Sequence, residues 1–95
     1  MPNLKKNSSA MKAMRRNARR AAYRGRVRTS TRTFVKKARA AIASSKLTGA
    51  DEALQNAIRA LDKAAAKGVI HKNAAARRKS RLMKALNRAQ EAQSA

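Results

Sequence analysis

The chain has 95 residues, 25 Lys and Arg against 4 Asp and Glu, and a formal net charge of +21. A chain of this length buries only about 60% of the surface its unfolded form exposes, so the core is thin and charge repulsion opposes compaction unless an anionic partner supplies counter-charge. With no Cys and a single histidine, His71, it has no disulfide framework, no thiolate metal site and no cysteine nucleophile.

The predicted elements are helices. Ala fills 23 positions, Tyr23 and Phe34 are the only aromatics, and the one proline, Pro2, precedes any element it would break. Ser8 and Ser9 are placed to cap a first helix whose pattern runs to Ser44 and Ser45, roughly 60 Å at about 1.5 Å per residue. Lys46 to Gly49 form a connector. Thr48, with Asp51 three residues on and Leu54 beyond, reads as a capping box for a second helix that stops near Gly68, where a left-handed residue closes a helix readily. Val69 and Ile70 then tuck under the helices, and Asn73 is expected to cap a third helix from about Ala74 to Gln90.

Each helix shows an apolar seam. On the second it is Leu54, Ala57, Ile58, Leu61 and Ala65, with Glu52, Gln55, Asn56, Arg59, Asp62 and Lys63 elsewhere; on the third it is Ala75, Leu82, Met83, Leu86 and Ala89, opposite a stripe of Arg77, Arg81, Lys84 and Arg88. The first helix changes character along its length. Val27, Thr31, Phe34, Val35, Ala38, Ala41, Ile42 and Ser45 share one sector, whereas ahead of them the same sector holds Arg16, Arg20, Tyr23 and Arg24. Basic residues from Lys12 to Arg28 span about 220° of that first half, so no bundle continues there. The second helix is only about 25 Å long, and the first therefore overhangs a three-helix bundle by about 30 Å. Arg15, Arg16, Arg19 and Arg20 repel one another and Gly25 interrupts the helix, so residues 1–26 are expected to fray in the free chain and to become helical on a phosphate backbone.

Charge divides the chain as the helices do. Residues 1–48 carry 15 positive charges and no negative one, residues 49–66 carry two positive and three negative, and residues 67–90 carry eight positive and none negative. Fifteen cations with no acid among them point to a polyanion rather than to a solvated surface. Asp51 and Glu52 lie at a helix start, where carboxylates favour the dipole, and supply no acid chemistry. Gly25, Gly49 and Gly68 are isolated and make no phosphate loop, and no nucleophile has a base beside it. No cofactor, metal or small-molecule substrate is implied.

The choice among polyanions narrows by elimination. No stretch approaches the roughly 20 apolar residues of a membrane span, no apolar signal region is present, and residues 8–26 lack the broad apolar face of an interfacial helix. An organellar transit segment is disfavoured because the basic charge continues into the core helix and returns near the C-terminus. Sheet-based RNA modules need rows of aromatic side chains, zinc fingers need ligands, and a DNA-reading helix needs more polar base readers than Asn73 and Asn87 provide. Binding through backbone and shape is left. Tyr23 is expected along a phosphate groove or exposed, ahead of stacking on a base, and His71 either on a phosphate or bonded to backbone near a helix start.

Against this background the run Lys67-Gly68-Val69-Ile70-His71-Lys72-Asn73, with Ala75-Ala76-Arg77 and Ser80-Arg81-Leu82 after it, resembles the hallmark of the bacterial small-subunit ribosomal protein twenty family. Arg32-Thr33-Phe34-Val35-Lys36-Lys37 is similar to its first-helix signature, and the same register sets Ser9-Ala10, Lys12, Arg15, Arg19, Arg20 and Arg28 on its basic or small positions. Arg24, Gly25, Met11, Ala13 and Ala22 depart from the pattern. The resemblance, over about residues 3–86, implies an all-α three-helix bundle with a long N-terminal helix, located in the cytoplasm within the ribosome. It implies direct binding to small-subunit ribosomal RNA early in assembly, at the five-prime domain and the long penultimate stem, with other ribosomal proteins as neighbours.

The expected organisation is one domain: a basic RNA-binding extension over 1–26, a bundle over 27–90 and a flexible tail over 91–95. Candidate RNA-binding residues are Lys5, Lys6, Lys12, Arg15, Arg16, Arg19, Arg20, Arg24, Arg26, Arg28, Arg32, Lys36, Lys37, His71, Lys72, Asn73, Arg77, Arg78, Arg81, Lys84 and Arg88. Their role is to neutralise phosphates and hold RNA elements together. The rival readings are a nucleoid-type protein that compacts double-stranded DNA and a basic helical inhibitor or tail that docks on an acidic protein.

Overall fold

The computed structural model describes residues 4–44 and 47–94, together with the side chains of residues 9–44 and 47–93. Among the described residues the chain forms α1 (Leu4–Ala43), α2 (Ala50–Ala66) and α3 (Lys72–Ser94), with no strand. Short connectors return α2 along α1 and α3 along α2. The radius of gyration is 19.8 Å and the longest dimension 78 Å, whereas a compact domain of this length has a radius near 12 Å. That excess comes from α1.

The bundle half of α1 buries Thr31, Val35, Ala38 and Ile42, four positions on one face. They pack with Ala50, Leu54, Ala57 and Leu61 of α2 and with Ala75, Leu82 and Leu86 of α3. The Thr31 hydroxyl donates to the Val27 carbonyl at 2.8 Å, so the one buried polar side chain among the described residues is satisfied inside its own helix. Much of this core is alanine, which lets helices approach closely but removes little apolar area from water. Among the described residues Leu61 is the one large side chain with no exposure at all. α2 is the central helix and packs more extensively on each neighbour than α1 and α3 pack on each other.

The seams fall close to the expected ones, with two shifts. Ala64 rather than Ala65 completes the buried stripe of α2, and Met83 of α3 is 43% exposed. Met83 lies about 100° around the helix from Leu82, and alanine-lined partners this slender cover only a single stripe of α3.

Helix ends correct the sequence reading in three places. α1 does not start at a Ser8–Ser9 cap. It passes through both serines from Leu4, and serine inside a helix costs only a few tenths of a kcal/mol relative to good formers. α2 uses no capping box. Its N-cap is Gly49 at φ 81°, with no side-chain hydrogen bond, and Thr48 is left in the turn. Gly49 serves because the connector enters in the left-handed region, which a threonine adopts only with strain. α3 begins at Lys72, not Ala74. The Asn73 backbone N–H donates to His71 Nδ1 at 3.1 Å, so the histidine caps the helix in place of Asn73.

The end of α2 is as expected. Gly68, at φ 73°, donates to the Ala65 carbonyl at 3.0 Å, and Val69 donates to the Ala64 carbonyl at 2.9 Å. This paired closure brings buried Val69 against the last buried turn of α2. Val69 and half-buried Ile70 thus lie under the helices, as the sequence implies. At the far end α3 continues as helix through Glu91–Ser94, residues the sequence reading assigns to a tail.

From Ser9 to Arg26 every described side chain is exposed. Ahead of Tyr23 the helix runs about 28 Å, and none of its described side chains is buried. Nothing but local propensity and charge sets the population of this segment in the free chain. Gly25, at the base of this arm, is the weakest point of the first half of α1, and a Cβ built there meets no atom within 4 Å. Gly25→Ala is therefore expected to stabilise the free helix by about 1 kcal/mol, read as a gain in far-ultraviolet circular dichroism.

Candidate nucleic-acid interface

Three cationic surfaces emerge from this fold. The first is the overhang. Lys12, Arg15, Arg16, Arg19, Arg20 and Arg24 are all exposed on it, and none has an acid partner among the described residues. Arginine dominates, and its planar fork can grip a phosphate through two parallel hydrogen bonds where a lysine acts as a point charge. Lys5 and Lys6 belong to α1, but their side chains lie outside the described residues.

The second surface is a groove of about 410 Å³ between α1 and α3. Arg32, Lys36 and Arg39 line it from α1 and Arg78 and Arg81 from α3, with Val35 as its only apolar lining. No carboxylate lines it. Five like charges facing one another across a groove oppose close packing of α1 on α3, and the contact between these two helices is the smallest of the three. An anion held between them would reverse that repulsion.

The third surface is a groove of about 490 Å³ between α1 and α2. Tyr23, Arg26 and Phe34 come from α1, and Arg59, Lys63 and Lys67 from α2. The Lys67 ammonium lies 5.2 Å from the centre of the Tyr23 ring, a cation–π contact that ties the end of α2 to the base of the overhang. On the same helix as Tyr23, Lys37 Nζ lies 5.9 Å from the Phe34 ring.

The other sequence-derived candidates separate. Arg28, Arg77, Lys84 and Arg88 are exposed outside both grooves, and Lys72 and Asn73 open the first turn of α3. His71 is committed to its cap through Nδ1, which leaves the Nε2 side of an exposed ring for any ligand. Arg39, Arg59, Lys63 and Lys67 are absent from the sequence-derived set yet complete the two grooves. The spacing of Asn56, Ala60, Lys63 and Lys67 along one face of α2 signals this stripe. Read helix by helix, Arg59 and Lys63 look like ordinary solvent-facing charges.

Acidic groups do little to offset this charge. The only ion pair among the described residues joins Lys79 Nζ to Asp62 Oδ1 at 2.9 Å across α2 and α3. Both partners are partly exposed, which limits its contribution to about 1 kcal/mol or less. Asp51 and Glu52 occupy the first turn of α2, as the dipole favours. Among the described residues no group of His, Asp or Glu is arranged to hold a metal ion, and no helix is long and apolar enough to cross a membrane.

Comparison with known proteins gives a consistent result. The family model described as ribosomal protein S20 matches residues 5–87. Small ribosomal subunit protein bS20 of Thermomicrobium roseum is 52% identical over 87 residues, covering 92% of this chain and 85% of that protein. Its counterpart in Heliobacterium modesticaldum is 47% identical over 89 residues, covering 94% and 98%. That of Brevibacillus brevis is 47% identical over 87 residues, covering 92% of each.

Proposed function

The chain belongs to the ribosomal protein S20 family, and from that premise we propose that it is a structural constituent of the small ribosomal subunit that binds the subunit's RNA through basic helices. It is a cytoplasmic ribosomal component and not an enzyme. Its work is positioning. RNA helices brought together in a subunit repel through their phosphates, and a rod of arginine between them lowers that repulsion while fixing their spacing.

One observation carries this reading: α1 projects about 28 Å beyond the bundle with its cations exposed and unpaired among the described residues. A free globular protein gains nothing from such an arm, whereas RNA packed on several sides can satisfy it. Cations on the overhang, in the α1–α3 groove and on the outer face of α3 point in different directions, which suits a protein placed between RNA elements rather than on one of them. Those elements are the five-prime domain and the long penultimate stem, and binding comes early, before their approach is complete.

Competition tests the reading against its rivals. A folded fragment of small-subunit ribosomal RNA is expected to displace the chain from an equal mass of duplex DNA. Equal competition by the two would favour a DNA-compacting protein, and failure of both to bind would favour an acidic protein partner.

A further inference from the structure

The overhang accounts for the α1 arm but not for the groove between α1 and α2, whose chemistry differs from the rest of the surface. Both aromatic residues of the chain line it. Tyr23 and Phe34 are eleven residues apart, three turns of helix, and so lie on one face of α1. Arg59, Lys63 and Lys67 face them from α2, with half-buried Asn56 beside them, and no carboxylate lines the groove. Phe34 also packs against the core, but exposed Tyr23 and the Asn56 amide have no use on a surface meant only to neutralise phosphates. A groove that takes a whole nucleotide needs all three: a ring against which a base can lie, an amide to read a base edge, and cations for the phosphate.

From this juxtaposition we infer that the α1–α2 groove seats a single unstacked nucleotide, bulged from an RNA helix that lies along α1. The proposal rests on the RNA-binding reading above and adds a site to it. The volume, about 490 Å³, falls within the range of about 300–1,000 Å³ found for small-ligand sites. The groove is also continuous with the overhang, since Tyr23 and Arg26 line it where the exposed arm begins. An RNA helix tracking the arm would therefore pass its mouth. The base takes the place of the Lys67 ammonium over the Tyr23 ring, Asn56 bonds its edge, and the released Lys67, with Lys63, holds the adjoining phosphate.

Tyr23 is the only tyrosine and the chain has no tryptophan, so tyrosine emission reports this groove alone. The experiment titrates the full chain with two labelled RNA hairpins, one fully paired and one identical but for a single bulged nucleotide, following label anisotropy and tyrosine emission together. The bulged hairpin is expected to bind about tenfold more tightly, on the scale of one base stacked on an aromatic ring, and to quench the tyrosine more strongly. Tyr23→Leu should abolish that preference, so that the variant binds the bulged and the paired hairpin alike. Equal affinity and equal quenching, or a preference that survives Tyr23→Leu, would overturn the nucleotide seat while leaving RNA binding intact. Failure of both hairpins to bind by anisotropy would overturn the RNA reading, and the seat with it.

Discussion

Replacing Arg15, Arg16, Arg19 and Arg20 together by glutamine is expected to weaken binding to a small-subunit ribosomal RNA fragment by about 10²- to 10³-fold near 100 mM salt. The thermal unfolding of the bundle should not move. The four guanidinium groups occupy about 140° of α1, are exposed, and have no acid partner among the described residues. Their removal therefore breaks nothing inside the protein. Each phosphate contact contributes about 0.9 to the slope of log affinity against log salt, so the variant should also show a slope shallower by about 3 to 4. A filter-binding series at several salt concentrations reads both quantities, and circular dichroism melting reads the fold. Unfolding of the bundle in this variant would show that arm and bundle are not separable.

The second large effect falls on stability. Leu61→Ala is expected to destabilise the bundle by about 2–5 kcal/mol, the range for a buried leucine truncated to alanine. Leu61 has no exposure and stands in the C-terminal half of α2, the helix that packs on both others. Cores of this size rarely supply more than about 3–5 kcal/mol in total, so the variant should be largely unfolded at 37 °C. Met83→Ala is the control. Met83 is similar in size but 43% exposed, and its truncation should change stability by no more than about 0.5 kcal/mol. Urea denaturation followed at the helical signal separates the two, and equal midpoints for both variants would refute the placement of the core.

What the sequence conveys and what it withholds divide on physical lines. The number of helices, the buried faces of α1 and α2, the closure at Gly68 and the overhang are all periodic or local features. Burial at Val35, Ala38 and Ile42, and its absence across Arg15 to Arg20, follow from side-chain spacing alone. Helix starts fare worse because several residues near each one compete. Thr48 and Gly49 both suit a cap, and the path of the connector selects the glycine through a positive φ that composition does not reveal. His71 and Asn73 compete in the same way, and the imidazole takes the backbone N–H that Asn73 offers.

The grooves belong to a third class. Arg39 joins Arg78, and Tyr23 meets Lys67, only because α2 and α3 pack where they do. Each of those residues looks like ordinary solvated surface within its own helix. The basic arm was legible because charge without acid is a property of sequence. The α1–α2 groove was not, because its rings and cations come from segments separated in the chain.

If exposed arginines and lysines of this chain replace the counterions of an RNA backbone, the affinity of the full chain for a small-subunit ribosomal RNA fragment must fall steeply between 50 and 200 mM salt. Engagement of about 6–10 phosphates predicts a fall of about 10³- to 10⁵-fold over that range, on the slopes known for DNA. A fall of less than about tenfold would contradict it, because binding that releases so few counterions does not depend on the charge this fold displays.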